Sequence, residues 1–160
     1  MDDKELERLE KLQAQIEKEK HRRVVENKLA HYKPYPKQEA FHTAGAKYRE
    51  RLLIAANQSG KSLAGAMEVA MHSTGRYSEG WAGKRFNEPT VGWVAGTTNE
   101  VVRDTCQRLL LGRDSERGTG CIPKDCILEL VSARGVPELL DSIKVRHASG
   151  GVSVIGIKSY

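Results

Sequence analysis

No stretch of this sequence approaches the roughly 20 consecutive apolar residues that a membrane-spanning helix needs. The N-terminus, Met1-Asp2-Asp3-Lys4, is charged and not built like a signal peptide. Both absences point to a protein that stays in the compartment where it is made, with no membrane partner. Cysteine is sparse: Cys106, Cys121 and Cys126 are an odd, scattered set, as expected in a reducing cytoplasm. Cys121, Cys126 and His147 lack the ligand spacing of a zinc ribbon, so no metal centre is expected from them. Internal repeats and low-complexity tracts are also missing.

What remains is an ordinary globular composition. The chain has 160 residues, 39% hydrophobic and 29% charged, with a net charge of +5 and a pI near 9.2. That length suits one domain with a modest core. Residues 1–30 hold eight acidic and eight basic side chains, so the basic excess lies wholly in the rest of the chain. Such an excess permits a polyanionic partner, or it is simply a solvated basic surface.

One stretch organises the chain, Leu52-Leu53-Ile54-Ala55-Ala56-Asn57-Gln58-Ser59-Gly60-Lys61-Ser62. Branched apolar residues run into a small-residue turn that ends in Gly-Lys-Ser, and an amphipathic pattern starts at once with Leu63, Ala64, Ala66, Met67, Ala70 and Met71. This order reads as strand, phosphate loop and helix. Phosphates need successive backbone N–H groups pointing inward and the positive end of a helix dipole. Residues Ala56, Asn57, Gln58, Ser59 and Gly60 would supply that backbone. Lys61 would reach the β- and γ-phosphates of ATP as a point charge, and Ser62 would place its hydroxyl on the Mg2+ that bridges them. The usual pattern has glycine where this chain has Ala55, which excludes a left-handed conformation there.

The flanking segments fit one α/β domain over residues 31–160, preceded by a polar helix over residues 1–30. In that helix Leu6, Leu9, Leu12 and Ile16 form a narrow seam, resumed by Val24, Val25 and Leu29. It is too polar to enter a core, and serves either as a solvated lead-in or as a contact for a partner protein. His31-Tyr-Lys-Pro-Tyr-Pro36 ends it. A short helix follows from about Tyr35 to Lys47. It carries Gln38, whose amide offers both a donor and an acceptor and so suits the edge of adenine.

The helix from Lys61 is expected to stop near Ser73, with Gly75 as its C-terminal glycine. The long connection Gly75–Pro89 holds Lys84 and Arg85 beside Trp81 and Phe86. Those side chains either track a nucleic-acid strand or pin the loop to the domain. Val91–Gly96 reads as a strand, and Thr97-Thr98-Asn99-Glu100 as a capping box with Thr97 at the N-cap. The next helix should bury Val101, Val102, Leu109 and Leu110 and end at Gly112. Pro123 suits the first turn of a helix carrying Ile127, Leu128 and Leu130. Ser142–His147 and Val152–Tyr160 alternate as strands around a turn at Ala148–Gly151. Strand, loop and helix recurring in order predicts a mostly parallel sheet with flanking helices.

An acidic centre for hydrolysis is not evident. Asp141 is the nearest candidate, but Val136-Pro137-Glu138 precedes it and no second acid follows. The chain is therefore expected to be the first part of a longer protein, binding nucleotide better than it turns it over.

Several segments in this order, Tyr35-Pro36-Lys37-Gln38, Ala55 to Ser62, Gly75-Arg76-Tyr77, Gly83-Lys84-Arg85-Phe86, Thr97-Thr98-Asn99-Glu100 and Ile122-Pro123-Lys124, give a specific signature. From about Tyr35 to Tyr160 the chain resembles the N-terminal part of the large terminase subunit of tailed bacteriophages, closest to the headful-packaging podophage group. The resemblance implies a RecA-like, additional-strand P-loop NTPase, incomplete at its C-terminus. It implies an ATPase that drives double-stranded DNA into a procapsid, with a nuclease domain in the full-length parent. The implied partners are the small terminase subunit and the portal, the implied assembly is a homo-oligomeric ring, and the implied place is the cytoplasm of an infected bacterium.

By the same resemblance Gln38 reads adenine, and Lys61 and Ser62 serve phosphate and magnesium. Thr97 and Thr98 lie near nucleotide or DNA; Lys84 and Arg85 are candidate nucleic-acid contacts from the make-up of their loop. The Walker B acids and the nuclease carboxylates of the family would follow Tyr160. Some members carry an arginine inside the phosphate loop, where this chain has Ala56 and Asn57. Arg51 stands nearby as either its substitute or a surface charge. The alternatives are a helicase-like translocase, or a non-catalytic DNA- or capsid-interaction module; small metabolic kinases lack support from any acceptor-site pattern.

Overall fold

The structure, a computed structural model, describes residues 3–160. Its first element is α1, Asp3–Glu26, so Met1 and Asp2 of the expected helix lie outside the described residues. The helix ends four residues before the expected Ala30. Asn27 Oδ1 accepts the Ala30 N–H at 3.3 Å and turns the chain, and Leu29 is the first residue to enter the core. The seam Leu6, Leu9, Leu12 and Ile16 is exposed. A helix of this polarity gains little from packing. Pairs such as Lys11 Nζ on Glu7 at 2.6 Å stay solvated and add only tenths of a kcal/mol, about 0.3–0.5.

Helix α2 covers Pro36–Ala44 and α3 covers Lys61–Thr74. Proline at the first position of α2 has no N–H to leave unpaired, and the Gln38 side chain accepts the Tyr35 N–H at 3.0 Å, closing the first turn. Helix α3 is the spine. It buries Ala64, Ala66, Met67, Ala70 and Met71 against the strands Leu140–Arg146 and Val152–Ser159 and against the short helix Arg108–Leu111. Each of the two methionines contributes about 1.5–3 kcal/mol by leaving water. As expected, Gly75 ends α3. Its φ is 68°, and a Cβ there would sit 2.5 Å from His147 Nε2, so both the backbone and the neighbour require glycine.

The sheet contains β1 Val91–Gly96, β2 Ile127–Ser132, β3 Leu140–Arg146 and β4 Val152–Ser159, in the order β1-β4-β3-β2. Only β1 and β4 run parallel; β4–β3 and β3–β2 are antiparallel. The expectation of a mostly parallel sheet is therefore wrong. The architecture is α/β with a mixed four-stranded sheet and flanking helices. An antiparallel meander can leave one face to water, and this one does. Ile143 and Val145 of β3 and Ile155 and Ile157 of β4 face the core. On the other face Lys144 pairs with Glu129 at 2.7 Å and Lys158 with Asp141 at 3.1 Å.

Three further expectations change. Leu52–Ala56 is extended but belongs to no strand. Leu52 and Ile54 are 81% and 83% exposed, and among the described residues no strand pairs with this segment. Ile127, Leu128 and Leu130 lie on β2, not on a helix; Pro123 instead opens a short 3-10 turn, Lys124–Cys126. A run of branched residues this short is ambiguous until a partner strand, here β3, takes it. Finally, Asn99–Val101 (α4) passes through a π-helical stretch, Val102–Gln107, into Arg108–Leu111 (α5). The wider turn rotates the buried face: Val102, Gln107, Leu110 and Leu111 are inside, while Val101 is exposed. Gln107 uses that position to donate to Glu138 O at 2.8 Å and to accept the Leu140 N–H at 2.9 Å, fixing the start of β3.

Strand β1 has one unpaired edge, and its Val91 and Trp93 are 81% and 77% exposed. An uncovered apolar edge templates pairing with other chains, and lysine on such an edge suppresses it. Trp93→Lys is therefore expected to lower concentration-dependent light scattering of the protein; equal scattering would show that this edge is not sticky.

Candidate functional site

The bend from Ala55 to Ser62 opens α3, as the sequence predicts. Gln58 and Gly60 take left-handed φ values of 61° and 77°, with Ser59 between them at negative φ. Left-handed residues set among right-handed ones are what an anion nest of converging N–H groups requires. A Cβ at position 60 would also lie 2.7 Å from Gln38 Nε2, so the end of that side chain would have to shift. Lys61 folds back over the bend, and its Nζ donates to Ala55 O at 2.6 Å and Ala56 O at 2.7 Å. A cavity of about 780 Å3 opens here, lined by Tyr35, Lys37, Gln38, Ile54 to Ala56, Gln58 and Lys61 among others. Its only charges are lysines, which suits an anion. Ser59 Oγ is buried without a hydrogen-bond partner, a polar atom left for a ligand to satisfy. Asn57 and Ser62 are exposed, and Ser62 opens onto a neighbouring groove rather than this cavity.

Gln38 is not a surface side chain. It is 6% exposed, and its amide is engaged at both ends. Its Oε1 takes the Tyr35 N–H, and its Nε2 donates to Gly60 O at 3.2 Å and Ser59 O at 3.4 Å. It braces the loop from below.

Behind the loop lies a buried ionic cluster that inspection of the sequence missed. Glu68 on α3 is 6% exposed. Its Oε2 meets His42 Nδ1 at 2.7 Å and its Oε1 meets His72 Nε2 at 3.3 Å. Arg51 grips both oxygens, Nη2 on Oε1 and Nη1 on Oε2, the latter at 3.2 Å. Arg51 Nη1 also donates to Phe41 O at 2.9 Å, and the guanidinium stacks over the Phe41 ring at 4.6 Å. Tyr32 Oη closes the set on His42 Nε2 at 3.0 Å. Burial alone would raise the Glu68 pKa. The hydrogen bonds from His42, His72 and Arg51 outweigh it and hold the carboxyl far below the usual carboxylate range. The available signal was a lone acid inside the apolar run Ala66-Met67-Glu68-Val69-Ala70. Arg51 is thus neither a free arginine for catalysis nor an ordinary surface charge.

The family profile described as terminase large subunit, T4likevirus-type, N-terminal, matches residues 52–160. The large terminase subunit of Salmonella phage P22 is 41% identical over 179 residues, covering 99% of this chain. The chain belongs to the terminase large subunit family. It spans 35% of the length of the P22 protein, and no solved structure matches it.

In this terminase chain the remaining sequence-selected residues lie apart from the loop cavity. Lys84 and Arg85 sit on an aromatic loop that is pinned to the domain. Trp81 is buried, and its Nε1 donates to Lys84 O at 3.1 Å. The Phe86 N–H reaches Tyr77 Oη at 2.7 Å. Arg85 stacks on Tyr77 at 5.2 Å, and Lys84 lies 5.9 Å from the Phe86 ring centroid. At the end of β1 it is Thr98, not Thr97, that caps: its Oγ1 accepts the Val101 N–H at 3.2 Å. Asp141 is exposed at the start of β3 and lines a separate cavity of about 560 Å3 with Asn99 and Lys158. Among the described residues no group of His, Cys, Asp and Glu could hold a metal ion, and no helix is long and apolar enough to cross a membrane. All three cysteines are free, and burial pushes the Cys121 thiol up to about 12, which keeps it unreactive.

Proposed function

We propose that this chain is the ATP-binding, N-terminal part of a viral DNA-packaging motor, a terminase subunit that couples ATP hydrolysis to the movement of double-stranded DNA into a procapsid. The observation that carries the reading is the bend Ala55–Ser62 at the head of a buried helix, with two left-handed residues and an ammonium folded onto it. The loop belongs to the RecA-like P-loop class in this reading. Double-stranded DNA, the small terminase subunit, the portal and further copies in a ring are the proposed partners, and the proposed location is the host cytoplasm.

The residues present fit Mg·ATP. The N–H groups from Asn57 to Ser62 would receive the β- and γ-phosphates at the N-terminus of α3. Lys61 would exchange the Ala55 and Ala56 carbonyls for phosphate oxygens, a trade of neutral acceptors for charged ones. Ser62, once turned from the neighbouring groove toward the cavity, would offer its hydroxyl to Mg2+, which when bound would supply positive charge against that of the phosphates. Gln38 would hold Ser59 and Gly60 in place, and to read a base it would have to exchange one of those two carbonyls for the base edge. Because no carboxylate lines the cavity, binding is expected to be stronger than turnover from these residues alone.

The test is titration with a fluorescent ATP analogue, with Mg2+ present and absent. Saturable, Mg2+-dependent binding displaced by ATP and by inorganic triphosphate is expected. Absence of saturable binding would remove the reading.

A further inference from the structure

We propose that Glu68 is the positioning residue for the phosphate loop: by gripping Arg51 it fixes the start of the segment that delivers Ala55–Ser62 to a triphosphate. This rests on the nucleotide-binding reading of the loop. Among the described residues, the run 49–55 that leads into the turn makes no backbone-to-backbone hydrogen bond. Leu52 and Ile54 are almost bare of packing. Ordered backbone without a ladder must be held by something else, and here side chains hold it. Downstream, Lys61 binds the carbonyls of Ala55 and Ala56, and Gln38 binds those of Ser59 and Gly60. Upstream the tie is Arg51, fixed by Glu68 and Phe41 O.

All of these ties lead back to α3. Glu68 stands seven residues after Lys61, two turns along the same helix face. Lys61 is thus fixed to the rigid body that fixes Arg51. Gln38 is referenced to it as well, because His42, one turn further along α2, bonds Glu68 Oε2 at 2.7 Å. The carboxylate therefore sets the distance between the entry of the loop, its exit and the helix that carries Gln38. A bidentate arginine fork fixes orientation as well as distance, so neither Gln at 68 nor Lys at 51 reproduces the grip.

The experiment compares the whole protein with Glu68→Gln, Glu68→Asp, Arg51→Lys and the double variant Glu68→Gln/Arg51→Lys, well below their unfolding temperatures. Amide hydrogen exchange of residues 52–59 is followed without nucleotide, and affinities for Mg·ATP and for inorganic triphosphate are measured. Exchange in that run is expected to rise in Glu68→Gln and Arg51→Lys. Both affinities should fall by the same factor, on the order of 10-fold, the lower end of what loss of an outer-shell partner costs at metal sites, since Glu68 acts through Arg51 and the chain that follows it. Glu68→Asp should lie between, and the double variant should match the weaker single variant to within about twofold, since the two residues form one device.

A lower unfolding temperature with wild-type exchange and wild-type affinities would overturn the proposal and leave Glu68 as structural glue. Should Glu68→Gln fail to fold, Arg51→Lys decides by the same readings. A wild-type protein that binds neither ligand would end the nucleotide reading; exchange that still rises in Glu68→Gln and Arg51→Lys would then keep Glu68 as the anchor of the segment, whereas wild-type exchange would end that role as well.

Discussion

Lys61→Ala is expected to weaken Mg·ATP binding by about 100-fold, with the fold intact. A hydrogen bond to a charged partner contributes about 1.5–3 kcal/mol, and about 2.7 kcal/mol corresponds to that factor. The geometry explains why the loss falls on binding and not on folding. In this structure Lys61 Nζ holds only two carbonyls of its own loop, groups that water can satisfy when the side chain is gone. The ammonium has no counter-ion among its contacts, so its charge is available to an incoming anion. Calorimetric titration of the two proteins measures the difference. Equal affinity would leave a DNA- or capsid-docking module as the better description.

Glu68→Ala is expected to destabilise the fold strongly. It leaves the Arg51 guanidinium and the buried His42 without their acceptor, and removing one partner of a buried ion pair costs about 3–5 kcal/mol. For a chain of this size that lowers the unfolding temperature by roughly 10 °C. Glu68 also gives the stability a pH signature. Its carboxyl has a lowered pKa in the folded state, against roughly 4.3 in an unfolded chain. A lowered folded-state pKa adds stability above the unfolded value and loses it as acid approaches the folded value. The gap in stability between wild type and Glu68→Gln should hold at neutral pH and narrow below about pH 4.3. Denaturant unfolding at a series of pH values reads this directly, and a gap that stayed constant into acid would contradict it.

The parts of the molecule legible in the sequence are those fixed by local chemistry. Gly-Lys-Ser after a turn and before an apolar 3.6-residue pattern marks the head of α3, and Gly75 marks its end, because dihedral limits and helix ends are properties of neighbours in the chain. The β3–β4 hairpin was readable for the same reason. What the sequence hid depends on partners far away. Leu52–Ala56 has the composition of a strand, yet a strand exists only when a ladder forms, and nothing pairs with it. Ile127–Ser132 became β2 because β3 lies beside it. The π-helical stretch at Val102–Gln107 rotates the buried face by an amount that a regular period does not foresee.

The site divides in the same way. The bend at the head of α3 was visible, and Gln38 was singled out as a reader of adenine, not as the brace of the loop that it is here. The engagement of both ends of its amide was not visible, since one set of its acceptors lies about 20 residues downstream. The Glu68 cluster draws on α2, α3 and the chain before the loop, so no local pattern could announce it beyond one acid out of place in an apolar run. Its discovery changes Arg51 from a candidate for chemistry into part of the frame.

The central claim, that the backbone from Ala55 to Ser62 wraps a triphosphate, is tested most directly by a structure determined with Mg2+ and a non-hydrolysable ATP analogue. The predicted result places the β- and γ-phosphates against the N–H groups of Asn57 to Ser62, with Lys61 Nζ moved off the Ala55 and Ala56 carbonyls onto phosphate oxygen. An analogue bound elsewhere, with Lys61 still on those two carbonyls, would contradict it.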